Sequence, residues 1–134
     1  MINLKITTVD HNKQRYNTVS DYFIGAEGEI NLKISKFSDA KMEMIIAVAE
    51  LAKIFLCCNS EIDAEAIEDF GYAFDDSRKL MDATNPFNDI DAPNYKQQII
   101  ANKLIRIMCK ELDIDWNDYQ KEISNLIINR QLKY

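Results

Sequence analysis

Apolar and polar residues alternate within the first 38 positions of the chain. Every second residue is hydrophobic from Ile2 to Ile6 and again from Ile30 to Ile34, a period that is typical of β-strands. The turn between Gly25 and Gly28 contains two glycines, which accept the backbone angles of a tight connection. We therefore expect residues 19–24 and 29–35 to pair as a hairpin within a small antiparallel sheet of two or three strands.

From position 39 onward, hydrophobic residues recur at the spacing of amphipathic helices. Ser38 or Asp39 is suited to cap the first helix, Ser60 or Asp63 the second, and Asp115 the last. The predicted helices are 39–58, a second that begins near position 63, 94–112 and 116–131. The chain thus predicts an α+β fold with helix dominant, in which a small N-terminal antiparallel hairpin or sheet (residues 1–38) precedes four helices (39–134) in a single domain.

The predicted core faces of the last two helices follow from the same spacing. The third helix should bury its isoleucine-rich face, and the fourth a face that begins with the tryptophan. The residues expected on these faces are Ile99, Ile100, Lys103, Leu104, Ile107 and Met108 in the third helix, and Trp116, Tyr119, Ile123, Leu126 and Ile127 in the fourth.

Composition narrows the class of protein. The 134 residues are 47% hydrophobic and 28% charged, which suits one domain with one core. The net charge of −6 disfavours non-specific nucleic-acid binding, which needs clustered cations to displace counterions from phosphates, and favours a basic partner surface. We find no signal segment, and the longest apolar run is interrupted by Glu43, Glu50 and Lys53, so no membrane span is expected. A cytoplasmic protein is therefore the expectation.

The cysteines and the single histidine carry little chemistry in this pattern. Cys57 and Cys58 are adjacent, Cys109 stands alone, and three cysteines do not form a disulfide framework. No basic residue pattern around them lowers a thiol pKa, so we expect all three to pack in the core. His11 lies in a polar segment without a nucleophile beside it, and we expect it to be solvated.

An acidic residue, Glu50, stands inside the apolar first helix. A carboxylate there would suit a metal-hydrolase helix, yet Ala49 takes the place of the histidine that such a helix needs beside it. Lys53 follows three residues later on the same face and is expected to pair with Glu50.

Five segments of the chain carry a resemblance to known proteins: Arg15 to Phe23, Ile30 to Ser35, Met44 to Cys57, Asn85 to Tyr95 and Leu112 to Tyr119. In these segments the chain resembles a small family of uncharacterised phage and prophage proteins. The resemblance implies a His-Glu-x-x-Glu pattern on the first helix, an aspartate on the second and a histidine at the start of the third. Such a set would suit a divalent metal ion.

The chain departs from that pattern at nearly every implied ligand position. Only Glu50 is retained, so we expect a vestigial site that holds no metal and no cofactor. The implied ligands are replaced by Ala49, Lys53, Gly71 and Gln98.

Two other segments are candidate binding surfaces. The loop 84–93 contains both prolines and several Asn and Asp side chains, and such loops present fixed polar groups. Phe87 within it is either an exposed contact or a core residue. The second candidate is the acidic side of the second helix. The candidate binding residues are Phe87, Asn88, Asp89 and Asp91 in the loop, and Glu65, Glu68, Asp75 and Asp76 in the helix.

Three functions are open to such a chain. We prefer a non-catalytic phage-type binding protein that acts on a host protein, for example as an anti-CRISPR-like inhibitor of a defence nuclease. The alternatives are a metal-dependent hydrolase that uses Glu50, and a sponge that sequesters a signalling nucleotide in a dimer groove. Hydrophobic helix faces beyond the need of one core also favour a homodimer.

Overall fold

A computed structural model describes residues 1–133 of the chain. Within them the order of elements is strands first and helices afterwards, which confirms the α+β class and the dominance of helix. One-turn 3₁₀ helices, His11–Lys13 and Pro86–Asn88, lie in two of the connections. The elements are β1 (Leu4–Val9), β2 (Ser20–Ile24), β3 (Ile30–Ser35), α1 (Ala40–Asn59), α2 (Ala64–Ser77), α3 (Tyr95–Glu111) and α4 (Trp116–Lys133).

The three strands form a mixed sheet in the order β1-β3-β2. The predicted hairpin is confirmed, because β2 pairs antiparallel with β3 through a turn in which Gly28 has a φ of 82°. The prediction of an antiparallel sheet is wrong for β1, which runs parallel to β3 with Leu4 opposite Ile30. Alternation along a strand defines its two faces but carries no information about the direction of its neighbour.

Asx caps set the starts of three helices at the predicted places. The Asp39 carboxylate accepts a hydrogen bond from the Lys41 amide at 2.8 Å, and Asp63 and Asp115 cap α2 and α4 in the same way. These caps satisfy amides that have no partner inside the helix. Among residues 1–133, no helix is long and apolar enough to cross a bilayer.

The main core lies between the sheet and α1. β3 contributes Leu32 and Ile34, and α1 contributes Ile45 and Ile54, all of them fully buried. A second, smaller cluster holds the loop before α3 against α1 and α2. It consists of Cys57, Ile67, Phe87 and Ala92. Phe87 is therefore a core residue.

The predicted core face of α3 is confirmed at Met108, which packs against the main core, but is wrong at Ile100 and Ile107. Ile107 is 59% exposed and Ile100 is also exposed, whereas Gln98, Ala101 and Cys109 are buried. α3 buries a partly different face from the predicted one because the polar side chain of Gln98 has buried hydrogen-bond partners and Ala101 allows α1 and α3 to approach closely.

The cysteine prediction holds at two of three positions. Cys57 and Cys109 are buried, but Cys58 is exposed and corrects the expectation that it packs in the core. Adjacent residues on a helix point about 100° apart, so one core cannot bury both members of the pair.

Candidate functional site

A well-formed cleft lies where α1, α3 and α4 meet the start of β2 and the loop that precedes α3. Its volume is about 430 Å³. Isoleucines from the three helices line part of it, and amide and hydroxyl side chains from the loop and from β2 line another part. A cleft of this size and mixed lining is typical of small-molecule sites.

A buried ion pair lies at the floor of this cleft. The Lys53 ammonium is 2.8 Å from a Glu50 carboxylate oxygen, and the two side chains belong to neighbouring turns of α1. Lys53 is 4% exposed and Glu50 is 7% exposed. The predicted pairing of these two residues is confirmed. A charge buried this deeply needs a partner, since desolvation without one costs several kcal/mol, on the order of 3–5.

Two further contacts hold the Lys53 ammonium in place. It donates to Gln98 Oε1 at 2.9 Å, and it lies 5.1 Å from the centroid of the Phe87 ring. Phe87 comes from the loop and Gln98 from α3, so a single cation connects three parts of the chain.

A directional hydrogen-bond chain runs from this floor to the rim of the cleft. Gln98 Nε2 donates to Asn102 Oδ1, and Asn102 Nδ2 donates to Asn88 Oδ1, each at 2.9 Å. An ammonium only donates, so Lys53 fixes the orientation of the Gln98 amide and, through it, of the next two amides. The result is that the Nδ2 group of exposed Asn88 is left as a donor at the rim.

The loop contributes a second donor by its own geometry. Asn85 Oδ1 accepts from the Phe87 backbone amide at 3.0 Å, which forms an Asx turn at the start of the Pro86–Asn88 3₁₀ helix. The Asn85 oxygen is thus engaged within the loop, and its Nδ2 group remains available. Phe87, which is 4% exposed, anchors this turn in the smaller core.

A cation and the single tryptophan of the chain lie at the helical side of the cleft. The guanidinium carbon of exposed Arg106 is 4.5 Å from the centroid of the Trp116 ring, and Trp116 stacks on Tyr119 at 5.6 Å. Such stacking holds a guanidinium in place while its N–H edge stays accessible. Arg106 has no salt bridge within residues 1–133, unlike Arg15 and Arg78.

The positions at which the resemblance implies metal ligands do not fit a divalent metal ion. Ala49 is buried in the core, and Gly71 packs so closely on Tyr16 that a Cβ atom there would lie 2.7 Å from the phenolic oxygen. Lys53 adds a fixed positive charge beside Glu50, the one acidic residue among these positions. In the described part of the chain, no group of three His, Cys, Asp or Glu residues is placed to hold an ion.

The acidic residues of α2 separate into two kinds. Glu68 forms an ion pair with Arg15 at 2.8 Å, and Asp75 pairs with Arg78 at 3.3 Å and also accepts from the Asn17 amide. Both carboxylates therefore already have partners within the protein. Glu65 and Asp76, by contrast, are exposed.

Asp89 and Asp91, the remaining predicted loop residues, do not line the cleft. The Asp89 carboxylate accepts from the Asp91 backbone amide at 2.9 Å, so it serves the turn that leads into α3. Asp91 is exposed.

His11 is buried, which corrects the expectation that it is solvated. Its Nε2 is 2.7 Å from Asn17 Oδ1, and its Nδ1 is 2.8 Å from Ser35 Oγ. Asn17 Nδ2 donates to the Ile127 carbonyl, so Asn17 Oδ1 is an acceptor and His11 Nε2 carries the proton. Burial lowers the pKa of His11, in keeping with a neutral ring in this structural role.

Sequence reasoning did not assign Asn102, Arg106 and Trp116 to a site. Gln98, Asn102 and Arg106 recur every four residues and so share one face of α3. This row of three polar residues at a spacing of four was the available signal. Comparison of the chain with family models, curated proteins and solved structures finds no match in any of the three.

Proposed function

We propose that this chain is a non-catalytic binding protein that holds a small polar molecule in the cleft above the Glu50–Lys53 ion pair. In line with the resemblance, we place it among phage or prophage proteins that act on a host factor in the host cytoplasm. The observation that carries the proposal is the cleft of about 430 Å³ whose polar floor and rim are preorganised by one hydrogen-bond chain.

The ion pair favours binding over metal-assisted hydrolysis. Metal-bound water is activated by the charge of the ion and needs an open coordination position. Here the Lys53 ammonium engages one Glu50 oxygen, and the same ammonium repels any further cation. Side chains fixed by mutual hydrogen bonds recognise a ligand at low entropic cost, because little ordering is left for the moment of binding.

A binding screen tests this proposal. The protein is titrated with a panel of sugars, amino acids, nucleosides and nucleotides, while the fluorescence of Trp116 reports on the cleft. A ligand should raise the thermal midpoint, bind one molecule per chain and be recovered unchanged, with the same affinity in EDTA.

A matched pair of variants locates the binding site. Ser124 lines the cleft, whereas its neighbour Asn125 is exposed on the same helix. Ser124→Tyr should fill the cleft and abolish binding, and Asn125→Tyr should leave it intact. Equal binding by both variants would refute the cleft as the site, and turnover of the ligand would refute a non-catalytic role.

A second candidate is recognition of a basic host protein, such as a defence nuclease, by α2. Glu65, Asp69 and Asp76 are exposed and lie on one face of the helix. Glu65→Lys combined with Asp76→Lys should abolish capture of such a protein from host lysate, in EDTA as in its absence. Unaltered capture would exclude this surface. A homodimer is a further proposal, which sedimentation velocity tests directly.

A further inference from the structure

Four polar side chains of the cleft lining present donor groups, beside hydroxyl and amide groups that can both donate and accept, such as Ser20, Thr84 and Gln120. The oxygens of Asn85 and Asn88 are engaged inside the protein, so each presents its NH₂ group. Lys53 and Arg106 add two cations, neither of which can accept a hydrogen bond. The one carboxylate in the lining, Glu50, is already paired with Lys53. A ligand that satisfies these four groups must offer acceptors to them.

The charge at the cleft is opposite to that of the protein as a whole. Glu50 and Lys53 cancel one another, which leaves the Arg106 guanidinium as the uncompensated charge of the lining. The chain carries a net charge of −6. A guanidinium held over an aromatic ring offers a planar pair of N–H donors that matches phosphate or carboxylate oxygens.

Part of the helical side of the cleft is apolar. Ile105, Ile123 and Ile127 line it, beside the ring of Tyr119. A sugar placed there would leave hydroxyl groups without partners, which is costly. A flat nitrogen heterocycle instead presents an apolar face to such a surface and keeps its acceptors at its edge.

We propose that the cleft binds a nucleotide, with the base between the isoleucines and the asparagine donors and the phosphate on Arg106. This inference rests on the proposed binding function and names the ligand class of the same cleft. The ring nitrogens and carbonyls of the base accept from Asn85 and Asn88. The phosphate accepts two parallel hydrogen bonds from the Arg106 guanidinium.

Calorimetric titration tests the ligand class. The four ribonucleoside 5′-monophosphates are compared with the matching nucleosides, with ribose 5-phosphate and with inorganic phosphate. At least one nucleotide should bind more tightly than its nucleoside and than ribose 5-phosphate, because only the nucleotide reaches both parts of the site.

Two variants assign the contacts. Arg106→Gln should lower the affinity for the nucleotide by about tenfold or more and leave the affinity for the nucleoside unaffected, as expected for loss of a charge-assisted pair of hydrogen bonds. Lys103→Gln removes an exposed cation of the same helix outside the cleft and should change the affinity for neither ligand. Asn88→Asp retains the acceptor for Asn102 but replaces the rim donor with a carboxylate, and should weaken both nucleoside and nucleotide.

The outcomes separate the two proposals. Nucleotide binding that depends on Arg106 supports the ligand class. Binding of a sugar or an amino acid, but of no nucleotide, overturns the ligand class and leaves the binding function standing. Nucleotide binding that Arg106→Gln does not weaken overturns the assigned phosphate contact and with it this proposal. If no compound in the panel binds, both the binding function and the ligand class are overturned.

Discussion

Replacement of Lys53 by Met is expected to be among the most destabilising single changes in the cleft. The variant keeps most of the side-chain volume but leaves the Glu50 carboxylate buried without its partner at 2.8 Å. Breaking one half of a buried ion pair costs about 3–5 kcal/mol. The lost hydrogen bond to Gln98 and the lost contact with the Phe87 ring belong to the same change.

The free energy that Lys53→Met is expected to remove is a large part of the total stability of the protein. A domain of this size is stable by roughly 5–15 kcal/mol, so the expected loss lowers the thermal midpoint by roughly 10–20 °C. Urea unfolding followed by circular dichroism measures the free energy directly. Lys103→Met is the control, because an exposed lysine on α3 should change stability by less than about 0.5 kcal/mol.

The combination Glu50→Met with Lys53→Met distinguishes the electrostatic cause from simple loss of contacts. Removing both charges should give a protein that is more stable than either single variant, because no ion is left unpaired. Gln98 Oε1 then lacks a hydrogen-bond donor, so the double variant should remain about 1–3 kcal/mol less stable than the wild-type protein. If the two losses add up instead, the ion pair does not determine stability at this position and the reasoning is refuted.

Three further predictions concern other parts of the fold. Gly71→Ala should destabilise by about 1–3 kcal/mol in urea unfolding, because its Cβ meets Tyr16; helix propensity alone would give a gain of about 1 kcal/mol, so any gain contradicts the packing. Since burial lowers the pKa of His11 below 6.5, the unfolded chain binds the proton first, and stability should fall as pH drops below about 6.5. His11→Gln should flatten that dependence, and an unchanged slope would contradict it. Maleimide should label only Cys58 in the native protein, since Cys57 is buried with its pKa raised to about 11; rapid labelling of all three thiols would contradict the core.

The element order was predictable because its signals are local. Asp39, Asp63 and Asp115 each cap a helix within two residues of themselves, and the glycines at 25 and 28 mark the hairpin turn. The direction of β1 relative to its neighbour was not predictable, because it depends on whether β1 pairs with β2 or with β3.

The site was less predictable than the fold. The face of α3 that the sequence favours carries isoleucines, yet Ile100 and Ile107 are exposed and Gln98 is buried. Hydrophobicity selects the wrong face because Gln98 is satisfied by Lys53, a residue distant in sequence. Of the residues that line the cleft, sequence reasoning singled out Glu50, Lys53, Phe87, Asn88 and Gln98 as site positions.

The parallel pairing of β1 with β3 sets an order of assembly. β1 leaves the ribosome first, but the strand that it pairs with is made only after the hairpin partner β2. The hairpin closes a short loop, whereas docking of β1 closes a much longer one at greater entropic cost. Of the three strands, β1 is therefore made first and is the last to pair, and its backbone N–H and C=O groups stay without strand partners until β3 has been made.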